Sequence, residues 1–289
     1  MLKALIKSMR PRQWTKNAFV MAALVFDRQL DHPTALLRSI AGMILFCFLS
    51  GSVYLINDIL DVEADRQHPL KRNRPIASGK LPIHVAVIAT VVILVLIFPI
   101  SYFLSPEFAL IALIYFLTNL AYSKWFKHIP LLDVLILASF YVVRVWAGVS
   151  LIHVERFSPW LYVVTTLLAL YIGFGKRRAE LALLEDNASN HRRVLEGYTI
   201  PLLDQLITIV SATTIVSYSF YTFSAPNVPA NHTMMLTIPF VLYGIFRYLY
   251  LVQIKCMGGE PEELLLRDRP LQLSISMWIL SVLIVFYYF

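Results

Sequence analysis

Nine apolar stretches, at roughly 18–30, 34–56, 82–104, 106–121, 131–152, 158–175, 203–223, 234–254 and 270–288, follow one another with little chain between them. A helix needs about 20 apolar residues to cross the hydrocarbon of a bilayer, and most of these runs have that length. Hydrophobic residues make up 58% of the chain and charged residues only 15%, a balance that water-soluble globular domains do not show. Backbone polar groups find no water in lipid, so a spanning segment satisfies them internally as a helix or closes into a barrel. These runs are continuous rather than alternating, which excludes barrel strands. The expected fold is all-α and integral to a membrane, with about nine transmembrane helices in a single polytopic domain over residues 1–289. The first and fourth runs are the short ones.

The basic residues are sided. If the N-terminus is inside, Lys3, Lys7, Arg10, Arg12 and Lys16 share the inner face with Arg66, Lys71, Arg72, Arg74 and Lys80 after the second run. Lys124, Lys127, Lys176, Arg177, Arg178, Arg192, Arg193, Lys255, Arg267 and Arg269 join them, whereas only Arg28, Arg38 and Arg156 lie opposite. The positive-inside rule makes the rich side cytoplasmic, with charged loops at 57–81 and 176–202 and an external C-terminus if nine runs span. The expected location is the cell (inner) membrane. The net charge of +7 then points to anionic headgroups or phosphorylated substrates, not to nucleic acid. Met1 to Met9 reads as an amphipathic interfacial helix within an N-terminal segment 1–16, since Ala4-Leu5-Ile6 is too short for a signal peptide. Two lone cysteines exclude a disulfide framework, and the absence of Walker A and GxGxxG runs argues against P-loop and Rossmann modules. The most charged loops follow the second and sixth runs, as a duplicated four-helix unit would give, and a homo-oligomer is compatible with such a chain.

One polar segment stands out. Asn57-Asp58-Ile59-Leu60-Asp61-Val62-Glu63-Ala64-Asp65-Arg66 sits where the second run leaves the membrane. On a continuous helix Asp58, Asp61 and Asp65 fall within about 60° of one another, with Tyr54 and Asn57 beside them. Like charges so close repel and also oppose the helix dipole, so a cation is expected among them. Magnesium (Mg2+) takes one or two carboxylates and fills its other positions with water and phosphate oxygens, which suits Asp58 and Asp61 as ligands and Asp65 as a third, direct or through water. Arg66, Arg72 and Arg74 can then fork onto phosphate oxygens, whereas Lys71 and Lys80 read as ordinary inner-face charges. Tyr122, Ser123, Lys124 and Lys127 border the same surface; the two lysines suit a lipid phosphate or anionic headgroups equally. Arg144 lies about 16 Å beyond Asp133 along one helix, and a guanidinium at that depth is either paired or functional. Asp133 suits a helix cap as well as a ribose or metal contact.

The segment Asn57-Asp58-x-x-Asp61-x-x-x-Asp65 resembles the first aspartate-rich motif of the UbiA superfamily of intramembrane prenyltransferases, and the nine-run layout is similar throughout. Arg10-Pro11-Arg12-Gln13-Trp14-x-Lys16-Asn17, Asp65-Arg66-x-His68-Pro69-x-Lys71-Arg72-x-Arg74-Pro75-Ile76-Ala77-Ser78-Gly79, Tyr122-Ser123 with Asp133-Val134, and Lys176-Arg177-Arg178-x-Glu180-Leu181 resemble its decaprenyl-phosphate phosphoribosyltransferase branch. Arg267-Asp268-Arg269-Pro270 extends the likeness to the last run. The N-terminal group also reads as a membrane anchor, but the resemblance implies that Lys16 and Asn17 face a phosphate. Members that prenylate aromatic rings carry a second aspartate-rich motif after the sixth run. Here Lys176-Arg177-Arg178-Ala179-Glu180 stands in its place, which implies a direct anion clamp.

The resemblance therefore implies magnesium-dependent transfer of 5-phosphoribose from phosphoribosyl pyrophosphate to a polyprenyl phosphate in the bilayer, with Asp58, Asp61 and Asp65 as the catalytic carboxylates. Competing expectations are an aromatic-acceptor prenyltransferase using a polyprenyl diphosphate, which needs a second acidic cluster, and a lipid transporter, which leaves the aspartates unexplained.

Overall fold

A computed structural model describes residues 1–67, 71–154, 158–185, 193–255, 257–259 and 261–288. His68, Pro69, Arg156, Arg192 and Cys256 lie outside the described residues. Twelve α-helices are described: α1 (Leu2–Ser8), α2 (Ala22–Phe26), α3 (Pro33–Leu60), α4 (Val62–Gln67), α5 (Ile83–Leu104), α6 (Pro106–Lys124), α7 (Leu132–Val149), α8 (Pro159–Glu185), α9 (Ile200–Ser224), α10 (Ile238–Gln253), α11 (Pro261–Arg267) and α12 (Arg269–Tyr288). No strand occurs among the described residues. Among the described residues, seven helical segments are long and apolar enough to cross a membrane: α3, α5, α6, α7, α9, α12 and Thr233–Gln253, which contains α10. The chain is a multi-pass membrane protein.

The first expected run is not one α-helix. A 3₁₀-helix over Pro11–Met21 carries the chain into the short α2. At about 2.0 Å per 3₁₀ residue and about 1.5 Å per α residue, these sixteen positions still reach about 30 Å. The sixth run lies in α8, which is 27 residues long and carries Lys176, Arg177, Arg178 and Glu180 in its C-terminal part.

The chain forms two compact units. The first comprises Met1–Leu24, Gln29–Lys124 and Val143–His153. Here α3 packs against α5, α6 and the 3₁₀-helix, and Phe46 meets Phe108 and Tyr115 in its core. The α5–α6 reversal turns on Ser105, whose hydroxyl accepts from the Phe108 N–H and caps α6. Much of α5 presents Val87, Ile88, Val91, Val92, Val95 and Leu96 outward, a face suited to lipid rather than water. Gly148 lets α7 approach the 3₁₀-helix: a Cβ there would stand 2.0 Å from the Val20 carbonyl oxygen.

The second unit comprises Val25–Arg28, Trp125–Val142 and Val154–Phe289. Its core joins Tyr171 and Phe174 of α8 to Leu203 and Ile207 of α9 and to Tyr248 and Leu251 of α10. Thr199 caps α9 by accepting from Leu202 N–H, and Asp268 caps α12 by accepting from Leu271 N–H while pairing with Arg247.

Candidate functional site

In the first unit the acidic run is bent. Helix α3 stops at Leu60, Asp61 is its C-cap at φ −93° and ψ 8°, and α4 begins at Val62. The i to i−4 ladder nevertheless continues across the break, with Asp61 N–H donating to Asn57 O and Asp65 N–H to Asp61 O. The bend leaves Asp58 and Asp65 buried together and turns Asp61 outward, so the single continuous face expected from the spacing holds for two of the three carboxylates. Burying Val62 at the same step is the physical reason: its side chain joins Met9, Leu55, Ile76, Leu81 and Ala86 in one apolar cluster.

That cluster positions everything around the aspartates. Ile76 and Leu81 anchor the turn after residue 71, which Leu81 N–H closes onto Pro75 O and Gly79 completes at a φ of +76°. Arg74 leaves this turn toward the carboxylates: its Nη1 donates to Asp65 Oδ2 at 2.6 Å and to Asp58 Oδ1 at 3.2 Å. Met9, packed against Gly51, anchors the end of α1, and Arg10 follows in the left-handed region at φ 53°. Arg10 Nη2 donates to Asp58 Oδ1 at 2.6 Å while its guanidinium lies 4.6 Å from the ring centre of Tyr54. Arg66 instead pairs with the exposed Glu63 and donates to Ala77 O, and Arg72 is exposed. Among the described residues no group of three or more His, Cys, Asp or Glu side chains is gathered as for a metal. The Asp58–Asp65 pair still accepts a cation, because one nitrogen of Arg74 reaches both carboxylates. A divalent ion drawing its remaining ligands from water and phosphate fits that donor set.

A second network lies deeper in the same unit. Asn17 is fully buried; its amide donates to Ser50 Oγ and Cys47 Sγ, and its oxygen accepts from Arg144 Nε at 2.8 Å. Arg144 also donates to the Tyr115 hydroxyl and lies 4.9 Å from that ring centre. The guanidinium in the span is thus paired with amide, phenol and aromatic face, and Asn17 meets Arg144 where a phosphate was expected. Lys16 is half-buried on the 3₁₀-helix, Tyr122 is half-buried near the end of α6, and Lys124 is exposed at that end.

The second unit gathers Asp133, Arg177, Glu180 and Tyr198. Asp133 and Arg177 are 0% and 1% exposed and meet at 2.6 Å; Arg177 Nη1 also donates to Glu180 Oε2 at 2.5 Å. Tyr198 donates to the other oxygen of Asp133 and accepts from the N–H of Leu131, which sits at φ 66°. Burial pushes the Tyr198 phenol well above its ordinary pKa, and donation to Asp133 reinforces this. Arg178 pairs with Asp204, which also accepts from Gln253. Lys176 is half-buried beside them on α8, and Lys127 is half-buried in a 3₁₀ turn, Phe126–His128. Two of the three cations expected to form an anion clamp are therefore held by carboxylates of the protein itself.

Tyr198 and Tyr115 were not among the expected site residues, and Arg10 stood only in the N-terminal group that also reads as a membrane anchor. Nothing in local spacing marks them, since their partners lie 65, 29 and 48 positions away.

The profile of the UbiA prenyltransferase family matches residues 18–257. The chain belongs to the UbiA prenyltransferase family. It is 34% identical over 286 residues to the decaprenyl-phosphate phosphoribosyltransferase of Mycobacterium tuberculosis, covering 98% of this chain and 94% of that protein. The enzyme of the same name from Mycolicibacterium smegmatis is 35% identical over 294 residues, covering 96% and 91%. Among solved structures, a UbiA homolog from Archaeoglobus fulgidus bound to GPP and Mg2+ superposes with a TM-score of 0.73 at 18% identity, covering 98% of this chain and 99% of that one. This UbiA member thus shares that protein's fold.

Proposed function

We infer that this protein transfers 5-phosphoribose from phosphoribosyl pyrophosphate to a polyprenyl phosphate, releasing pyrophosphate, at the cytoplasmic face of the cell membrane. The observation that carries the reading is the buried Asp58–Asp65 pair with Arg10 and Arg74 upon it, in a membrane protein similar along nearly its whole length to decaprenyl-phosphate phosphoribosyltransferases. In the reaction the C1–oxygen bond to pyrophosphate breaks as a lipid phosphate oxygen bonds to C1, with inversion expected there. That nucleophile is already anionic at neutral pH, so no side chain has to remove a proton, and positioning and electrostatics supply the catalysis.

Asp58 and Asp65 would hold magnesium, which when bound neutralises charge on the departing pyrophosphate, while Asp61 faces outward from that pair. Arg74 and Arg10, already on those carboxylates, would take phosphate oxygens at the same place, with Arg66 on α4 and the exposed Arg72 just ahead of Arg74 in the chain. Tyr54 supports Arg10 through its ring face. In the first unit Lys16, Tyr122 and Lys124 are further proposed phosphate contacts, and in the second unit Lys127 and Lys176 are. Asp133, Arg177, Glu180 and Arg178 enter this reading as positioning residues, because their charges are matched internally. Asn17 and Arg144 are assigned the same part.

The test incubates the purified protein in detergent with magnesium, radiolabelled phosphoribosyl pyrophosphate and decaprenyl phosphate, followed by lipid extraction. Label in the organic phase, with pyrophosphate released in equal amount, is the expected result. An inactive preparation that instead prenylates an aromatic acid from polyprenyl diphosphate would overturn the assignment.

A further inference from the structure

The place where a metal would sit is filled by the protein's own cations. Asp58 Oδ1 accepts from both Arg10 and Arg74, and Arg74 is the only charged partner of Asp65 among the described residues. The two sides of this contact differ in freedom. The carboxylate side chains are 3% and 4% exposed and project from helices α3 and α4, whereas the guanidinium side chains are 32% and 29% exposed and reach in from turns. A divalent ion and these guanidinium groups compete for the same oxygens.

We propose that Arg10 and Arg74 are exchangeable counter-cations: without donor they occupy the carboxylates, and when a metal diphosphate binds they pass from Asp58 and Asp65 to the phosphate oxygens as the carboxylates pass to the metal. Charge balance drives the coupling. Two carboxylates and two guanidinium groups are neutral together, so a dication arriving alone is unwelcome, while one arriving with a diphosphate is offset. Metal and donor therefore bind with positive, reciprocal coupling, and the metal is weakly held between turnovers. No covalent bond changes in this exchange. The proposal rests on the phosphoribosyl reading only for the identity of the diphosphate.

The probe is Mn2+ alone, titrated into the full chain in detergent micelles and followed by the electron paramagnetic resonance of the free ion. Removing a competing cation should tighten Mn2+ binding about tenfold in Arg10→Gln and in Arg74→Gln, while the same variants bind phosphoribosyl pyrophosphate with magnesium about tenfold more weakly. Asp58→Asn added to either variant should cancel the gain in Mn2+ affinity. Arg74→Gln strips Asp65 of its charged partner and can fail to fold; Arg10→Gln leaves Asp58 paired with Arg74 and carries the test by itself. Mn2+ affinity unchanged or weakened in folded Arg10→Gln overturns the exchange. If Mn2+ binding tightens but the unaltered protein binds a polyprenyl diphosphate and not phosphoribosyl pyrophosphate, the exchange stands and the donor assignment falls. If phosphoribosyl pyrophosphate binds and Mn2+ affinity ignores both substitutions, the donor assignment stands and the exchange falls.

Discussion

Replacing Arg177 with methionine separates an anion clamp from a positioning network. Arg177 and Asp133 are essentially without solvent contact and meet at 2.6 Å, and the other oxygen of Asp133 is taken by Tyr198. Methionine keeps most of the volume but leaves a fully buried carboxylate with one neutral hydrogen bond. Breaking a buried pair in this way costs about 3 to 5 kcal/mol, so Arg177→Met should lower the folded-to-unfolded ratio at least about a hundredfold. The double variant Asp133→Asn/Arg177→Met removes both charges and should lose about 2 kcal/mol less than the two single losses combined. Reversible unfolding in mixed detergent micelles measures all three. A clamp makes a different prediction: Arg177→Met would raise the donor KM and leave unfolding where it was. Equal stability of Arg177→Met and the unaltered protein, or strict additivity in the cycle, would refute the positioning argument. Lys176→Ala is the contrast within the same helix turn, expected to raise the donor KM with little change in unfolding.

Asp58→Asn and Asp65→Asn should each abolish transfer while the purified protein keeps its helical circular dichroism, and excess chelator should do the same to the unaltered protein; full activity in either variant removes that carboxylate from the site. The Asp268 carboxyl is held below the usual carboxylate range first by the hydrogen bond from Arg247. Its contribution to stability is therefore complete above the unfolded value of about 4 and is lost as pH falls below that value through the lower folded one. Thermal unfolding should weaken less over that acid window in Asp268→Asn than in the unaltered protein. Gly148→Ala places a Cβ against the Val20 carbonyl oxygen, where no flexible side chain can yield, and should destabilise by about 1 to 3 kcal/mol in the same unfolding assay.

Legibility followed sequence distance. The run from Asn57 to Asp65 was readable because its contacts are those of one helix turn with the next, and Asp58 with Asp65 remained a pair as the spacing required. Asp61 departed because the buried Val62 and the C-cap bend outweighed the ideal helical period. Arg74, wedged before Pro75, was expected to meet phosphate oxygens, and nothing in its neighbours along the chain showed its grip on two carboxylates at once. Tyr198 and Tyr115 carried no local signal, and Arg10 carried only that of its N-terminal motif. Arg177 and Arg178 were expected to clamp an anion with Lys176, and Asp133 and Asp204 neutralise them from 44 and 26 positions away.

Composition and hydrophobic run length alone settle that this chain lives in a membrane as helices, because lipid offers the backbone no hydrogen-bond partner and leaves no other economical way to cross. The acidic motif, likewise, is written in the chain. Which charges stay available was decided only by tertiary packing. The apolar cluster of Met9, Leu55, Val62 and Ile76 brings Arg10 and Arg74 onto Asp58 and Asp65. Burial then forces each internal charge to find an opposite one, since an uncompensated ion away from water costs more than the fold can spare.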